Sequence, residues 1–359
     1  MGYRFVYLLL IIALAAALSG CQSAFGPQAL ERTHPAYNEA IIASINEQML
    51  QNLVRMRYRD VPFFLEIGSV TASLSLGANA GLNADVNLGS GDTLSPGLGV
   101  AYADKPTISY TPLRGEELLK SILSPLQLEA ILVLTQSGWN ISRVFGLCFE
   151  RINNLYNAPN ASGPTPAQEP DHEDFGNLMD ALHTLQKNQL IEIGTNEAGS
   201  IVIKLIRDNY AYKNQIDQVY TLLELNHNKD EFTLNTDFLN MNNEQWTVRP
   251  RSISGLLYYL SHNVGAPSSH HYELVTVTRT EDGGRFDWNE TPAGRLFSIR
   301  TSEEQPQNAY IATRYRSHWF YIEDTDLETK STFMLLRQLF DLQAGQTNPQ
   351  VPALTLPVR

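Results

Sequence analysis

The feature of this chain that most constrains its fold is a long run of strictly alternating apolar and polar residues. Between residues 70 and 88 every even-numbered position is apolar, and every odd-numbered position is polar or glycine. A period of two is the side-chain repeat of a β-strand, so the run predicts a ribbon with one apolar and one polar face. It is much longer than the usual strand of roughly five or six residues. The apolar positions are Val70, Ala72, Leu74, Leu76, Ala78, Ala80, Leu82, Ala84, Val86 and Leu88.

A second, less regular strand follows a turn. Residues 89–92 read Gly-Ser-Gly-Asp, a composition typical of turns. Apolar side chains then return on even positions as far as Tyr110, although Asp104 and Pro106 interrupt them. The pattern predicts a β-hairpin over residues 66–112, whose apolar face must lie against lipid, a second copy of the chain or another protein surface.

The N-terminus has the pattern of a signal peptide. Arg4 is followed by a continuous apolar stretch from Phe5 to Leu18. This stretch is shorter than the roughly 20 residues that a transmembrane helix needs, so it is interpreted as the apolar region of a secretory signal. The sequence Leu-Ser-Gly-Cys ends it at Cys21.

These four residues resemble the lipobox of bacterial lipoproteins. The resemblance implies that the signal is cleaved before Cys21, which is diacylated through its thiol and acylated at its new amino terminus. Gln22 follows the cysteine in place of aspartate, which in such lipoproteins favours transfer to the outer membrane. More than one acyl chain anchors a protein firmly. The resemblance therefore implies a chain held on the lipid bilayer through Cys21, with its body mostly in the periplasm.

Two stretches of the body resemble uncharacterised lipoproteins of Gram-negative bacteria. One is Tyr-Thr-Pro-Leu-Arg-Gly-Glu-Glu at 110–117, running on to Gln-Ser-Gly-Trp at 136–139. The other is Tyr-Arg-Ser-His-Trp-Phe-Tyr-Ile at 315–322, continuing to Leu-Gln-Ala-Gly at 342–345. No activity is known to us for that group, so this resemblance implies location and gives no mechanism.

The patterns along the chain predict an α+β fold with an N-terminal helix, a long amphipathic β-hairpin, a helical segment and then a mixed α+β domain. The expected organisation is a signal peptide (1–20), a tether (21–34), a helix/β-hairpin/helical module (35–156), a proline-rich linker (157–174), an α+β periplasmic domain (175–345) and an extended tail (346–359).

Three local expectations are specific enough to compare with a structure. A helix is predicted over residues 141–156. Strand alternation around residue 320 predicts Trp319 and Tyr321 on a buried face, with Phe320 on the other. Acidic residues between Glu323 and Glu328 are interpreted as caps of a last helix that begins there.

Motifs of known chemistry are missing from the sequence. It contains no HExxH, GxSxG, P-loop or dinucleotide fingerprint. His262, His270 and His271 form its densest histidine group, which we interpret as an exposed loop and not as a metal site. We therefore expect no catalytic activity, no cofactor and no metal. A net charge of −12 argues against nucleic acid as a partner, because nucleic-acid binding needs a basic face.

Arginines at positions 55, 57 and 59 end the first predicted helix. One interpretation is favourable positive charge at a helix C-terminus. The other is contact of Arg55, Arg57 and Arg59 with lipid headgroups, since they lie between a lipid anchor and the amphipathic hairpin.

Two hypotheses of function follow. In the first, the protein is an outer-membrane lipoprotein that acts as a structural or assembly subunit of an envelope complex. Its copies would self-associate by sharing their hairpins in a β-barrel, forming a pore or a secretion-type conduit, because only closed barrels leave no unpaired strand edges in lipid. In the second, it is a tethered monomeric periplasmic scaffold or assembly factor that binds an envelope partner.

Overall fold

The computed structural model describes residues 27–85, 93–112, 116–164, 166, 168–270 and 274–344. The expected signal peptide, Cys21 and the expected tail over 346–359 lie outside the described residues. So do Val86 and Leu88 of the alternating run.

The described residues form a mixed α+β fold, as predicted. The helices are α1 (Pro27–Arg57), α2 (Glu116–Leu123), α3 (Leu128–Gln136), α4 (Ile141–Cys148), α5 (Glu173–Lys187), α6 (Lys213–Leu222), α7 (Ile253–Ser261) and α8 (Leu327–Ala344). The strands are β1 (Leu65–Asp85), β2 (Thr93–Pro112), β3 (Phe149–Ile152), β4 (Leu155–Tyr156), β5 (Ile191–Thr195), β6 (Ile201–Leu205), β7 (Glu231–Asn235), β8 (Gln245–Pro250), β9 (Arg300–Ser302), β10 (Ala309–Tyr315) and β11 (His318–Glu323).

These strands are arranged in three sheets. The first is the two-stranded ribbon β1-β2, and the second has the order β10-β11-β9. The third has the order β4-β3-β8-β7-β6-β5. Neighbouring strands are antiparallel except β7 and β8, which are parallel.

The chain divides into two compact units, each built from separate stretches of sequence. Unit 1 comprises the described residues within Met1–Asp60, Asn157–Gly176 and Leu257–Arg337. Unit 2 comprises those within Val61–Tyr156, Asn177–Leu256 and Gln338–Arg359. The ribbon and the six-stranded sheet belong to unit 2, and the three-stranded sheet belongs to unit 1.

The proline-rich segment expected to be a linker is instead a packed part of unit 1. Asn157, Ala158 and Ala161 are fully buried. Thr278 Oγ1 donates a hydrogen bond of 2.7 Å to the carbonyl of Pro166. Prolines disfavour helix interiors and interior strands, but their carbonyls remain free to accept such bonds.

The helix expected over residues 141–156 ends early. It stops at Cys148, and Phe149 begins strand β3. The backbone N–H of Arg251 donates to the Cys148 carbonyl at 2.7 Å, and β3 continues this pairing along β8. The partner strand lies about a hundred residues later, so helical periodicity alone gives no sign of it.

The C-terminal half of α1 lies in the core of unit 1. Leu50, Leu53 and Val54 have no solvent exposure, and Asn52 is equally buried. Helix α1 packs against β10 of the three-stranded sheet. Burial in this half of the helix therefore extends beyond a single face, because the consecutive residues 52, 53 and 54 are all buried.

The buried face of β11 is the opposite of the predicted one. Phe320 and Ile322 are fully buried, whereas Trp319 and Tyr321 are half-buried. Alternation was predicted correctly, but contact with the end of α1 decides which face is inside. The ring of Tyr58, just after α1, lies 6.1 Å from that of Phe320.

One of the acidic residues before α8, Asp326, caps that helix. Asp326 Oδ1 accepts a hydrogen bond of 3.0 Å from the backbone N–H of Thr329. Its Oδ2 accepts one of 2.8 Å from the Thr329 hydroxyl. The capping interpretation is confirmed.

Candidate functional site

The long ribbon is the first candidate site. Strand β1 has 21 residues and β2 has 20, and they pair from Leu65 opposite Pro112 to Asp85 opposite Thr93. One irregularity, between Ile67 and Ser69, interrupts the register. Within the described residues the ribbon is a sheet of its own with no third strand. Neither outer edge therefore pairs with a further strand in the described structure.

The register places apolar residues of the two strands opposite each other. Residues directly opposite across an antiparallel pair share a face of the sheet. We call the following set the apolar band: Leu76 opposite Tyr102, Ala78 opposite Val100, Ala80 opposite Leu98, Leu82 opposite Pro96 and Ala84 opposite Leu94.

We call the end of the ribbon at the pair Leu65 and Pro112 its base. The apolar band ends on this side where Leu74 lies opposite Asp104. Its length along each strand matches the roughly 9–11 residues with which a tilted β-strand crosses a bilayer. Tyr102 stands at this end of the band, beside Asp104 and Lys105. Aromatic residues followed by charged ones are typical of the boundary between hydrocarbon and water.

Small uncharged residues occupy the other face over the same length. The pairs are Gly77 opposite Ala101, Asn79 opposite Gly99, Gly81 opposite Gly97 and Asn83 opposite Ser95. The register therefore keeps the predicted two-faced pattern over this length of both strands.

The three arginines considered for headgroup contact have different surroundings. Arg57 is buried, and its Nη1 donates to the Thr276 carbonyl at 3.2 Å. Arg59 is exposed and donates from Nε to the Thr276 hydroxyl at 2.9 Å. The guanidinium of Arg55 lies 5.8 Å from the Tyr315 ring. These contacts hold the end of α1, and headgroup contact stays a prediction.

A cleft in unit 1 is the second candidate site. Its volume is about 390 Å³, within the size range of small-molecule pockets. One part of its lining is an aromatic stack, in which the His262 and Trp288 rings lie 4.4 Å apart with 22° between their planes. Arg57, Asn263, Arg285 and Asp287 are the other lining residues that bear on its chemistry.

The electrostatics of this cleft centre on Arg57. Only 5% of its surface is exposed. Burial, and next the positive charge of Arg285, lower the pKa of Arg57 to about 10. Within the described part of the chain its Nε is buried without a hydrogen-bond partner. Because the guanidinium still carries its proton at neutral pH, the cleft holds a cation with unused donor capacity.

Asn263 is a buried amide in the same cleft. Its backbone is fixed on both sides, since its N–H donates to Leu260 and its carbonyl accepts from Ile299. The side chain is 7% exposed, and neither Nδ2 nor Oδ1 has a partner among the described residues. A Cβ at position 294 would lie 2.7 Å from Nδ2, so Gly294 provides the space for this amide.

Sequence reasoning did not find this cleft. His262 was considered only with His270 and His271, but its ring stacks on Trp288, while His270 Nδ1 is hydrogen-bonded to the Tyr58 hydroxyl at 2.9 Å. Arg57 comes from the end of α1 and Asn263 from just after α7, so no local motif connects them. Asn263 lies in no recognisable motif, so a single sequence does not indicate that its side chain is buried in a cleft.

Other side chains with reactive potential are accounted for in the described ranges. No group of histidine, cysteine, aspartate or glutamate residues there could hold a metal ion. Cys148 is fully buried, as the apolar context of its helix indicates, and burial raises its pKa to about 12. Its thiol is therefore protonated and not nucleophilic at neutral pH.

No helix in the described ranges has an apolar stretch long enough to cross a membrane.

Unit 1 should lose stability as the pH falls below about 6.5, the ordinary pKa of histidine. Burial holds the pKa of His172 below that value in the folded chain, against the opposing charges of Glu173 and Glu290. The unfolded chain then binds a proton that the folded chain does not, so stability present above the unfolded pKa is lost on acidification. We expect the denaturation midpoint to fall between about pH 7.5 and about pH 5.5.

The variant H172Q should show a smaller loss over this range, measured by chemical denaturation. A residual slope is expected because the pKa of His270 is also lowered, by burial and by its neighbour His318. The matched control is H183Q, at an exposed histidine. Equal slopes in both variants would contradict the assignment to His172.

No protein-family model matches the chain, and neither the curated proteins nor the solved structures include a significant match to it.

Proposed function

We propose that this protein is a lipid-anchored outer-membrane subunit that assembles with copies of itself by joining the β1-β2 ribbons into a shared barrel. Cys21 is the anchor in this proposal, and the body lies in the periplasm. The protein acts by assembly and not by catalysis. The barrel serves as a pore or as a conduit for export.

The two-stranded ribbon, with strands of 21 and 20 residues, supports this proposal because no third strand joins either of its edges in the described structure. An isolated two-stranded hairpin is marginally stable at best in water. Unpaired strand edges are also ready templates for pairing with another chain. A partner that pairs with both edges removes both problems, and a ring of identical ribbons provides such a partner on each side.

The apolar band supports lipid as the surroundings of this ring. At roughly 3.3 Å per residue, the 21 residues of β1 reach about 70 Å, against a hydrocarbon core of about 30 Å. The band uses the outer part of this length, and the base of the ribbon remains outside lipid. The small polar residues of the opposite face then line the lumen, as in water-filled outer-membrane barrels.

A second candidate function is a tethered monomeric scaffold whose ribbon packs on an envelope partner. It is favoured by the alanines at positions 72, 78, 80 and 84 of the apolar face, because small side chains allow close approach to a protein surface.

The test is the molar mass of the detergent-solubilised lipoprotein, measured by light scattering with the detergent contribution subtracted. The variant replaces residues 75–103 by Asn-Gly, which closes the ribbon directly after the pair Leu74 and Asp104 in a favoured hairpin turn. We expect the intact chain to form one large oligomer of defined mass, and the shortened chain to be a monomer.

Two controls make the outcome specific. The shortened variant must keep the denaturation midpoint of the intact chain. Its circular dichroism must differ from that of the intact chain only by the signal of the deleted strand residues. The variant C21A tests the anchor separately, since it should lose acylation and outer-membrane fractionation while its ribbon is unchanged. A monomeric intact chain would overturn the shared barrel and leave the scaffold, to be pursued by crosslinking from the ribbon.

A further inference from the structure

We propose that the cleft of unit 1 is a binding site for a small carboxylate that carries an amide group beside it, such as an N-acylated amino acid or the C-terminal residue of a peptide. The site is independent of the ribbon and of the assembly proposed above. The residues that would recognise the ligand are Arg57, Arg285, Asn263 and the stacked pair His262 and Trp288.

The charged side chains of the cleft favour an anion. Two guanidinium groups, Arg57 and Arg285, and one carboxylate, Asp287, line it. The carboxylate is engaged elsewhere, because Asp287 Oδ1 accepts from the backbone N–H and the side-chain amide of Asn289 at 3.0 and 2.8 Å. The lining therefore carries two positive side chains and one negative one, which favours an anion as the ligand.

The buried guanidinium supplies the anion contact. Arg57 uses Nη1 on the Thr276 carbonyl, while Nε has no partner in the described structure. A buried donor without a partner costs about 1–3 kcal/mol, and more when it is charged. A carboxylate oxygen on Nε removes this cost and also relieves the repulsion between Arg57 and Arg285.

The amide of Asn263 demands a second feature of the ligand. Its Nδ2 needs an acceptor and its Oδ1 needs a donor, and both atoms are buried without partners in the described residues. A secondary amide supplies a carbonyl and an N–H together, which matches both needs. Acetate or another simple carboxylate leaves them unmet. The cleft therefore favours an acylated amino acid over a bare anion.

The test is isothermal titration of the full-length lipoprotein in detergent with named probes. They are N-acetyl-L-alanine, N-acetyl-D-alanine, N-acetyl-L-alanine amide, acetate and inorganic phosphate. We expect an N-acetylalanine to bind at least about ten-fold more tightly than its amide, than acetate and than phosphate, as loss of a charged hydrogen bond implies. Preference for the L form indicates a protein C-terminus as the source, and preference for the D form indicates a cell-wall peptide.

Three variants assign the binding. R285Q, at an exposed position, should weaken N-acetylalanine about ten-fold without altering the fold. N263D keeps the side-chain size but places a negative charge near the carboxylate of the ligand. It should weaken binding about 100-fold or more. R314Q is the matched control, since Arg314 is an exposed arginine of unit 1 outside the cleft, and it should bind like the unaltered chain.

Several results would overturn the proposal. One is the lack of heat from every carboxylate probe at about 10 mM, where even a millimolar complex is mostly formed. Another is tighter binding of phosphate or of the uncharged amide. A third is equal loss in R285Q and R314Q, which would indicate general surface charge.

Discussion

Replacing Ala80 by arginine should abolish the oligomer that we propose for the intact chain, whereas replacing the adjacent Asn79 by arginine should not. Ala80 lies opposite Leu98 at the middle of the apolar band, and Asn79 lies opposite Gly99 on the polar face. The two substitutions differ by one position along the strand and place the same charge on opposite faces.

The expected effect of A80R on assembly is large because every subunit of the ring carries the substitution. An arginine on the lipid face of a barrel costs about 2–4 kcal/mol at the bilayer midplane, while a substitution facing the lumen mainly changes selectivity. A ring of A80R subunits therefore bears this cost once per subunit. N79R should retain the ring, with its lumen made more positive.

Light scattering in detergent and conductance in planar bilayers measure both effects. A80R should give monomers and no channels, while N79R should give the full ring and a shift of ion preference towards anions. Equal behaviour of the two variants would contradict the assignment of lipid and lumen faces. Loss of mass in N79R alone would reverse that assignment.

The ribbon was predictable because its signal is local and repeated. Alternation at period two specifies a strand with two faces, and the Gly-Ser-Gly-Asp turn specifies where it reverses. The pairing then follows from the position of the turn, so that from Val70 to Ala84 the even residues of β1 meet even residues of β2. The cap at Asp326 was predictable for the same reason, since a helix start and its cap are neighbours in sequence.

The parts that were not predictable depend on distant partners. The helix ends before Phe149 because the backbone from Phe149 onward pairs with strand β8. The phase of β11 is decided by contact between Phe320 and Tyr58, and alternation alone cannot choose between its two faces. The cleft brings Arg57 near Arg285 and Asn263, residues separated by most of the chain. A single sequence does not indicate such contacts between residues that are distant along the chain.

Replacing Asn153 by alanine should cause a large loss in the free energy of unfolding of unit 2. Asn153 is buried, with 3% of its surface exposed, and it follows β3. Its Nδ2 donates to the Leu223 carbonyl at 2.9 Å. Its Oδ1 accepts from the backbone N–H of Thr247 at 2.8 Å. One side chain therefore satisfies two buried backbone groups from different parts of unit 2.

The backbone adds a second reason for asparagine at this position. The φ angle of Asn153 is +47°, in the left-handed region that asparagine tolerates and alanine resists by roughly 1–2 kcal/mol. Leaving each buried partner unsatisfied costs about 1–3 kcal/mol. The N153A variant should thus lower the free energy of unfolding by about 3–8 kcal/mol.

The variant N153G separates the two causes. Glycine loses the same hydrogen bonds but adopts a positive φ without strain, so N153G should be more stable than N153A by roughly 1 kcal/mol. The control is N154A, since Asn154 is exposed and its amide makes only a long bond of 3.3 Å to Glu224. It should change stability by less than about 0.5 kcal/mol.

Urea denaturation followed by circular dichroism gives the three values. If N153A were as stable as N154A, water or a shifted neighbour would be satisfying Leu223 and Thr247, and the asparagine would not be the bridge between them. If N153G and N153A were equally destabilised, the hydrogen bonds alone would account for the loss. The expected order, N154A above N153G above N153A, requires both the two bonds and the left-handed backbone, which is a combination that asparagine provides better than any other residue with a side chain.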